Sequence, residues 1–333
     1  MKKILSFATL ALLGLSLASG AFAQAKVKIG FLVKMPEAGW FQTEWKFADQ
    51  AGKDLGFEVI KIGTQDGDKV LSAMDNLAAQ GAKGLVICTP DTKLGPAIAA
   101  KAKQLGLKVL AVDDQFIKAD GSPMTDVPYL GISAKKIGEN VGETLYAEMK
   151  RRGWKAEETG AMAITLNELQ TSKDRTDGTK SALLRLGFPA ANIYEGAQKQ
   201  PGDVETGFNA ASTIITQHPN VKNWMIYSLA EDCVIGGVRA LEGRGFKTPN
   251  ILGVGIGGAT VAINEFKKST ENGFYGTILL AAKVHGYETS KLMFNWVTKG
   301  VVPPADTRTA GTLITRANYV QVLTESGLED LVK

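Results

Sequence analysis

Val27-Lys-Ile-Gly-Phe-Leu-Val33, followed by Phe41-Gln-Thr-Glu-Trp-Lys-Phe-Ala-Asp-Gln-Ala-Gly-Lys-Asp-Leu55, decides the fold class. The first stretch is short, apolar and rich in β-formers, which is how a strand buried on both faces reads. The second sets Phe41, Trp45, Ala48 and Leu55 at i, i+4, i+7 and i+14, one face of a 3.6-residue period. Its solvent face is expected to carry Glu44, Lys46, Asp49 and Lys53.

The same pairing recurs along the chain. Further strands are expected at Phe57 to Ile62, Gly84 to Ile87, Lys108 to Val112, Gly160 to Thr165, Asn192 to Glu195, Asn223 to Tyr227, Ile251 to Gly255 and Gly276 to Leu280. Helices are expected at 41–55, 69–80, 94–105, 136–152, 173–186, 205–217, 231–243, 259–268 and 285–298. This is an α/β chain of two doubly wound parallel-sheet lobes. No Pro-rich linker divides them, so short extended segments acting as a hinge should carry the chain across. Ligands in such sheets sit beyond the carboxyl ends of the strands. That draws attention to Lys34, Cys88 to Asp91, Asp113 to Gln115, Thr165 to Thr171, Ser228 to Asp232 and Gly257 to Thr260.

A chain of 333 residues suits two domains at roughly 100–200 residues each. With 44% hydrophobic and 22% charged residues, it is neither disordered, collagen-like nor a coiled coil. Its net charge of +4 includes no basic run longer than Lys150-Arg151-Arg152, so no nucleic-acid partner is expected. Lys2-Lys3, an interrupted apolar run to Ala18 and Ala21-Phe22-Ala23 spell a cleavable secretory signal over residues 1–23, hence a periplasmic protein. Cys88 and Cys233 fall in different lobes and are expected to be free thiols.

With only two histidines, His218 and His285, neither flanked by metal ligands in sequence, triad and metal chemistry are set aside; both read as surface or structural residues. Gly253-Val-Gly-Ile-Gly-Gly258 follows a strand, yet the acidic residue that would complete a dinucleotide site is missing, so it reads as a tight turn. The strand ends instead gather Lys34, Trp40-Phe41, Asp113-Asp114 and Asn167-Glu168, with Arg175 opening a helix. Carboxylates and cations that hydrogen-bond vicinal hydroxyls, beside an aromatic face, suit a neutral polyhydroxylated ligand. Helix capping by the aspartates and a core role for Trp40 account for the same residues equally well.

Family-specific stretches run through the chain: Gly30 to Lys34, Trp40 to Ala48, Ala51 to Ile62, Val86 to Asp91, Ala111 to Phe116 and Ala161 to Thr165. They continue in Gly236 to Arg239, Gly273 to Gly276, Val284 to Tyr287 and Leu313 to Arg316. In these the chain resembles the arabinose-binding branch of the periplasmic binding proteins of bacterial ABC sugar transporters, within the ribose- and galactose-binding type. The resemblance implies two lobes joined by three crossings, closing over one monosaccharide that is handed to a membrane permease. It implies no catalysis, metal or cofactor, and a monomer with a chemoreceptor as a further candidate partner. By the same resemblance the lobes are 26–132 plus 281–308 and 133–280 plus 309–333.

Carried over position by position, it puts Lys34, Trp40, Phe41, Cys88, Asp113, Asp114, Leu169, Thr171 and Arg175 in the sugar cleft, Cys88 as a packing neighbour. Glu37, Ile132, Leu229, Glu231, Gly257 and Thr260 form a second tier. Here the chain departs from the family pattern. A loop glutamate is matched by Ala38, a methionine and an asparagine by Leu229 and Ala230, an asparagine and an aspartate by Gly257 and Thr260, and a methionine by Ile132. The first-lobe half of the site is largely kept and the second-lobe half largely rewritten, so a larger or deoxy sugar competes with arabinose as ligand. Two other classes are weighed. An exported carbohydrate-acting enzyme would need a poised acid, base or nucleophile, and a sugar-responsive regulator would need a helix-turn-helix.

Overall fold

The computed structural model describes residues 26–168, 170–198 and 202–333; the expected signal segment and Leu169 lie outside them. Twelve strands form two six-stranded sheets among the described residues. In chain order they are β1 (Lys28–Val33), β2 (Glu58–Gly63), β3 (Gly84–Ile87), β4 (Lys108–Asp113), β5 (Tyr129–Ile132) and β6 (Thr159–Thr165). Then follow β7 (Ile193–Ala197), β8 (Asn223–Ser228), β9 (Ile251–Gly257), β10 (Phe274–Leu279), β11 (Asp306–Thr309) and β12 (Thr312–Thr315). The helices used below are α1 (Gly39–Leu55), α2 (Gly67–Ala79), α3 (Gly95–Leu105), α4 (Ala134–Arg151) and α5 (Gln170–Arg185). The later ones are α6 (Val204–Gln217), α7 (Glu231–Gly243), α8 (Thr260–Lys267), α9 (Thr289–Lys299) and α10 (Tyr319–Glu325).

The first sheet runs β11-β5-β4-β3-β1-β2 and the second β12-β10-β9-β8-β6-β7. Both faces of each are covered, which is why the strands read as unbroken apolar runs. On the first sheet, Leu32, Leu85 and Ile87 pack against Met74 of α2 and Ile98 of α3. Their neighbours Phe31, Val86 and Val112 point the other way, onto Ala48 of α1 and Met293 of α9. On the second, Met162 and Ile226 face Ala211 of α6 and Val234 of α7, while Ala163 and Tyr227 face Val141 of α4 and Leu183 of α5.

Three expectations change. Three four-residue strands, β5, β11 and β12, fall outside the expected set; β11 and β12 are sheet edges, while β5 pairs between β11 and β4. Asp306-Thr-Arg-Thr309 is polar and half exposed, as suits an edge, and gives no apolar run to detect. β12 also pairs antiparallel with β10, so the second sheet is mixed and not purely parallel. The helix expected from residue 285 opens with a π-turn at Val284–Glu288 before α9.

The chain passes between the sheets three times, after Ile132, after Leu279 and after Thr309. In the second lobe, α4 and α5 approach closely through glycines. A Cβ on Gly138 would lie 1.9 Å from the Arg175 carbonyl oxygen, and one on Gly178 would lie 2.2 Å from that of Lys135. The contact sets the height of α5, and with it Arg175. Gly138→Ala is therefore expected to cost about 2–3 kcal/mol in denaturant unfolding, since backbone cannot yield as a side chain would. A loss under about 0.5 kcal/mol, the scale of an ordinary surface substitution, would mean the helices slide freely.

Candidate ligand-binding site

The carboxyl ends of β1, β3 and β4 bring Lys34, Cys88, Asp113 and Asp114 together. The Lys34 ammonium donates to Asp114 Oδ2, and both side chains keep about a third of their surface open, at 30% and 31%. Cys88 Sγ donates to the same Asp114 oxygen at 3.5 Å. Burial, with the Asp113 and Asp114 charges added, pushes the thiol pKa well up, so Cys88 stays protonated and inert. At the start of α1, Trp40 and Phe41 line the cleft, Phe41 rooted in the core.

Asp113 is differently engaged. Its φ of 63° is the one left-handed non-glycine conformation among the described residues. Tyr129 Oη donates to its carbonyl at 2.6 Å, holding a turn that costs of order 1–3 kcal/mol. Its Oδ2 accepts from Trp40 Nε1 at 3.1 Å and its Oδ1 lies 2.6 Å from Nδ1 of His285. Burial works to raise the Asp113 pKa, but His285 and Trp40 outweigh it and hold the carboxyl below its usual range.

Two readings of the sequence are corrected here. Glu44, expected on the solvent face of α1, is completely buried, and so is His285, expected to stand apart from acidic groups. Glu44 Oε1 lies 3.7 Å from His285 Nδ1. Neither Glu44 oxygen receives a donor. Burial first and the neighbouring Asp113 charge second raise its pKa well above the ordinary value, which favours the protonated carboxyl. The ligand-type atoms of Glu44, Asp113 and His285 lie within 4.8 Å of one another. A His285–Asp113 separation of 2.6 Å is nonetheless a hydrogen bond, with no room for a metal bonded to each at about 2.0–2.2 Å.

Facing them, the second lobe contributes Arg175 and Thr171 from α5 and the turn Gly257 to Thr260 after β9; Ile132 lies at the end of β5. Arg175 Nη1 donates to the Leu229 carbonyl at 2.7 Å. Its Nε is buried without a partner, and desolvation lowers its pKa. Glu231 turns away from the cleft. It accepts from the amides of Gly258 at 3.0 Å and Ala259 at 2.8 Å and from Thr277 Oγ1 at 2.9 Å. A Cβ on Gly257 would sit 2.5 Å from a Glu231 oxygen, and Gly257 has φ 142°. The asparagine that the family pattern puts at 257 would thus meet the Glu231 carboxylate, held where it is by Gly258, Ala259 and Thr277.

Of the remaining sequence candidates, Glu37, Asn167 and Glu168 are exposed and none lines the cleft, and Leu229 takes part through its carbonyl. Sequence reasoning missed Tyr129 and Arg308, which line the cleft with the guanidinium 4.6 Å above the ring. The cleft holds about 1090 Å³ and joins both sheets. One side offers a paired Lys and Asp, the other an arginine with unused donors, and Trp40 supplies an apolar face. Such a set orients hydroxyl and ring oxygens of a neutral solute.

A model described as periplasmic binding proteins and sugar binding domain of the LacI family matches residues 26–322. The chain belongs to this family. This periplasmic binding protein is 52% identical over 321 residues to the L-arabinose-binding periplasmic protein of Escherichia coli K12, covering 96% of this chain and 97% of that one. It is 50% identical to the ABC transporter L-arabinose-binding periplasmic protein of Azospirillum brasilense, covering 96% of each. The structure of an arabinose-binding protein from Geobacillus stearothermophilus shares the fold, with a TM-score of 0.68 and 16% identity over 89% of this chain and 99% of that one. Like its relatives, this periplasmic binding protein is a solute receptor and not an enzyme.

Proposed function

We propose that the protein captures an aldose monosaccharide between its lobes in the periplasm and delivers it to the permease of an ABC importer. The observation that carries this reading is Arg175, a buried cation with an unpartnered Nε at the edge of a cleft whose other wall holds Lys34 with Asp114. An uncharged, oxygen-rich solute satisfies both. Lys34, Trp40, Phe41, Asp114, Thr171 and Arg175 are the proposed contacts, with Asp113 acting through Trp40. Arabinose is favoured by relatives named for it at 52% and 50% identity.

A second reading rests on the second-lobe wall. Gly257, Ala259 and Thr260 offer less polar surface than the family pattern provides, and a hydroxyl left unpaired there costs about 1–3 kcal/mol. A hexose or deoxy sugar with a bulkier, less polar edge fits that wall better. We further propose lobe limits of 26–132 plus 281–308 and 133–280 plus 309–333, supported by the division of strands between the sheets. The protein acts as a monomer, with a chemoreceptor as a second docking partner.

Calorimetric titration of refolded, sugar-stripped protein with arabinose, galactose, fucose, xylose, ribose and glucose tests the assignment. One of these is expected to bind one-to-one with Kd of about 1 μM or tighter, equivalent to roughly −8 kcal/mol. Strong arabinose binding supports the first reading; strong hexose or deoxy-sugar binding with weak arabinose supports the second. No heat with any of the six would overturn both.

A further inference from the structure

The three passages between the lobes start close to one buried side chain. His285 is fully buried, four residues beyond Ala281 in the second passage, and its backbone N–H donates to the Ala281 carbonyl at 3.2 Å. Its Nε2 lies 2.9 Å from Thr309 Oγ1, at the last residue of β11, where the third passage begins. Thr309 in turn holds the first passage: its hydroxyl reaches the Gly131 carbonyl at 3.3 Å, and its own carbonyl accepts from Ser133 N at 2.9 Å. On the cleft side the ring meets Asp113 through Nδ1 and packs edge-on to Trp40, centroids 5.2 Å apart at 72°.

We propose that His285 is a positioning residue that couples occupancy of the cleft to closure of the lobes. This rests on the sugar-receptor reading and deepens it. A ligand shifts an open-closed equilibrium only by what it gains in one state over the other, so contact with the first lobe must be felt at the hinge. Asp113 can transmit it because both its oxygens are taken, one by Trp40 and one by His285. A sugar seated on Trp40 adjusts the Asp113 carboxylate and thereby the ring. The Thr309 hydroxyl has a single hydrogen and two acceptors in reach, His285 Nε2 and the Gly131 carbonyl. Turning the ring changes which of them it serves, a discrete rearrangement at the mouths of two passages. Glu44 closes the cluster from α1, leaving the ring no solvent to relax into.

The test combines small-angle scattering with calorimetry on the full mature chain, using L-arabinose or the hexose of the panel that binds in its place. The unmodified protein is expected to contract on saturation. His285→Gln and Thr309→Val should bind about tenfold more weakly, the loss of one buried hydrogen bond, and contract less at saturation. A role in stability alone would lower the melting temperature and leave both affinity and contraction of the folded protein unchanged; that result overturns the proposal. If His285→Gln does not fold, Thr309→Val, which keeps shape and removes one hydroxyl, decides by the same criteria. Absence of both heat and contraction in the unmodified protein removes the sugar-receptor reading and this inference with it. Normal binding and contraction there with unaltered variants removes this inference only.

Discussion

Arg175→Met is expected to weaken sugar binding at least about a hundredfold while leaving the unliganded protein as stable as before or more so. The two effects have opposite signs because Arg175 sits in an unbalanced position without ligand. Its guanidinium is largely withdrawn from solvent, and burial lowers its pKa, offset only in part by Glu231. One donor is used on the Leu229 carbonyl, while Nε has no partner. A buried charge of this kind is costly, and replacing it with an apolar chain of similar length removes that cost. With sugar present the spare donors find oxygens. Hydrogen bonds from a charged donor are worth about 1.5–3 kcal/mol each, so losing two exceeds the roughly 2.8 kcal/mol of a hundredfold change. Calorimetry and thermal melting on the same sample separate the two quantities. An affinity within tenfold of the parent would take Arg175 out of the site.

The reach of the sequence is clearest in α1. Of the face the helical period picks out, Phe41 and Ala48 are buried and Trp45 and Leu55 partly so, and β1 before it is an apolar, buried strand. Glu44 lies three residues after Phe41 and four before Ala48, on the same stripe. The period therefore pointed inward, and reading a carboxyl as a solvent residue overrode it. Burial is tolerable because the proton is retained, a property set by the burial itself and by the charge of Asp113, 69 residues away. No local pattern contains that information. His285 shows the same limit, since its acidic neighbours come from α1 and β4. By contrast, Lys34, Asp113 and Asp114 follow strands directly, so the rule that ligands gather at carboxyl ends placed them without tertiary knowledge. In the second lobe that rule found the turn at 257–260 but not the inward course of Glu231, which depends on Thr277 of β10.

Folding stability is expected to be greatest near pH 5 and to fall towards pH 8, contrary to the neutral optimum of many proteins. The sign follows from Glu44 and Glu231, both buried carboxyls with raised pKa values, Glu231 to about 7. For Glu231, burial outweighs the donors from Ala259, Gly258 and Thr277, which favour ionisation. The native state thus holds protons that the unfolded chain has released above its ordinary value of 4.5. Stability tied to these groups is complete below that value and drains away as pH rises through the folded pKa. For Glu231 the window runs from 4.5 to about 7, and at about 1.4 kcal/mol per pH unit the loss comes to about 3–4 kcal/mol. Asp113 and Glu148 behave oppositely: both are held below their usual range, so their contribution is present above it and lost on acidification. Together the two sets place the maximum between them. Urea unfolding from pH 4 to 8 measures the curve, and Glu231→Gln, which keeps the shape but cannot titrate, should flatten its alkaline limb. Were that variant to lose as much stability between pH 5 and 8 as the parent, the Glu231 proton would have no part in it.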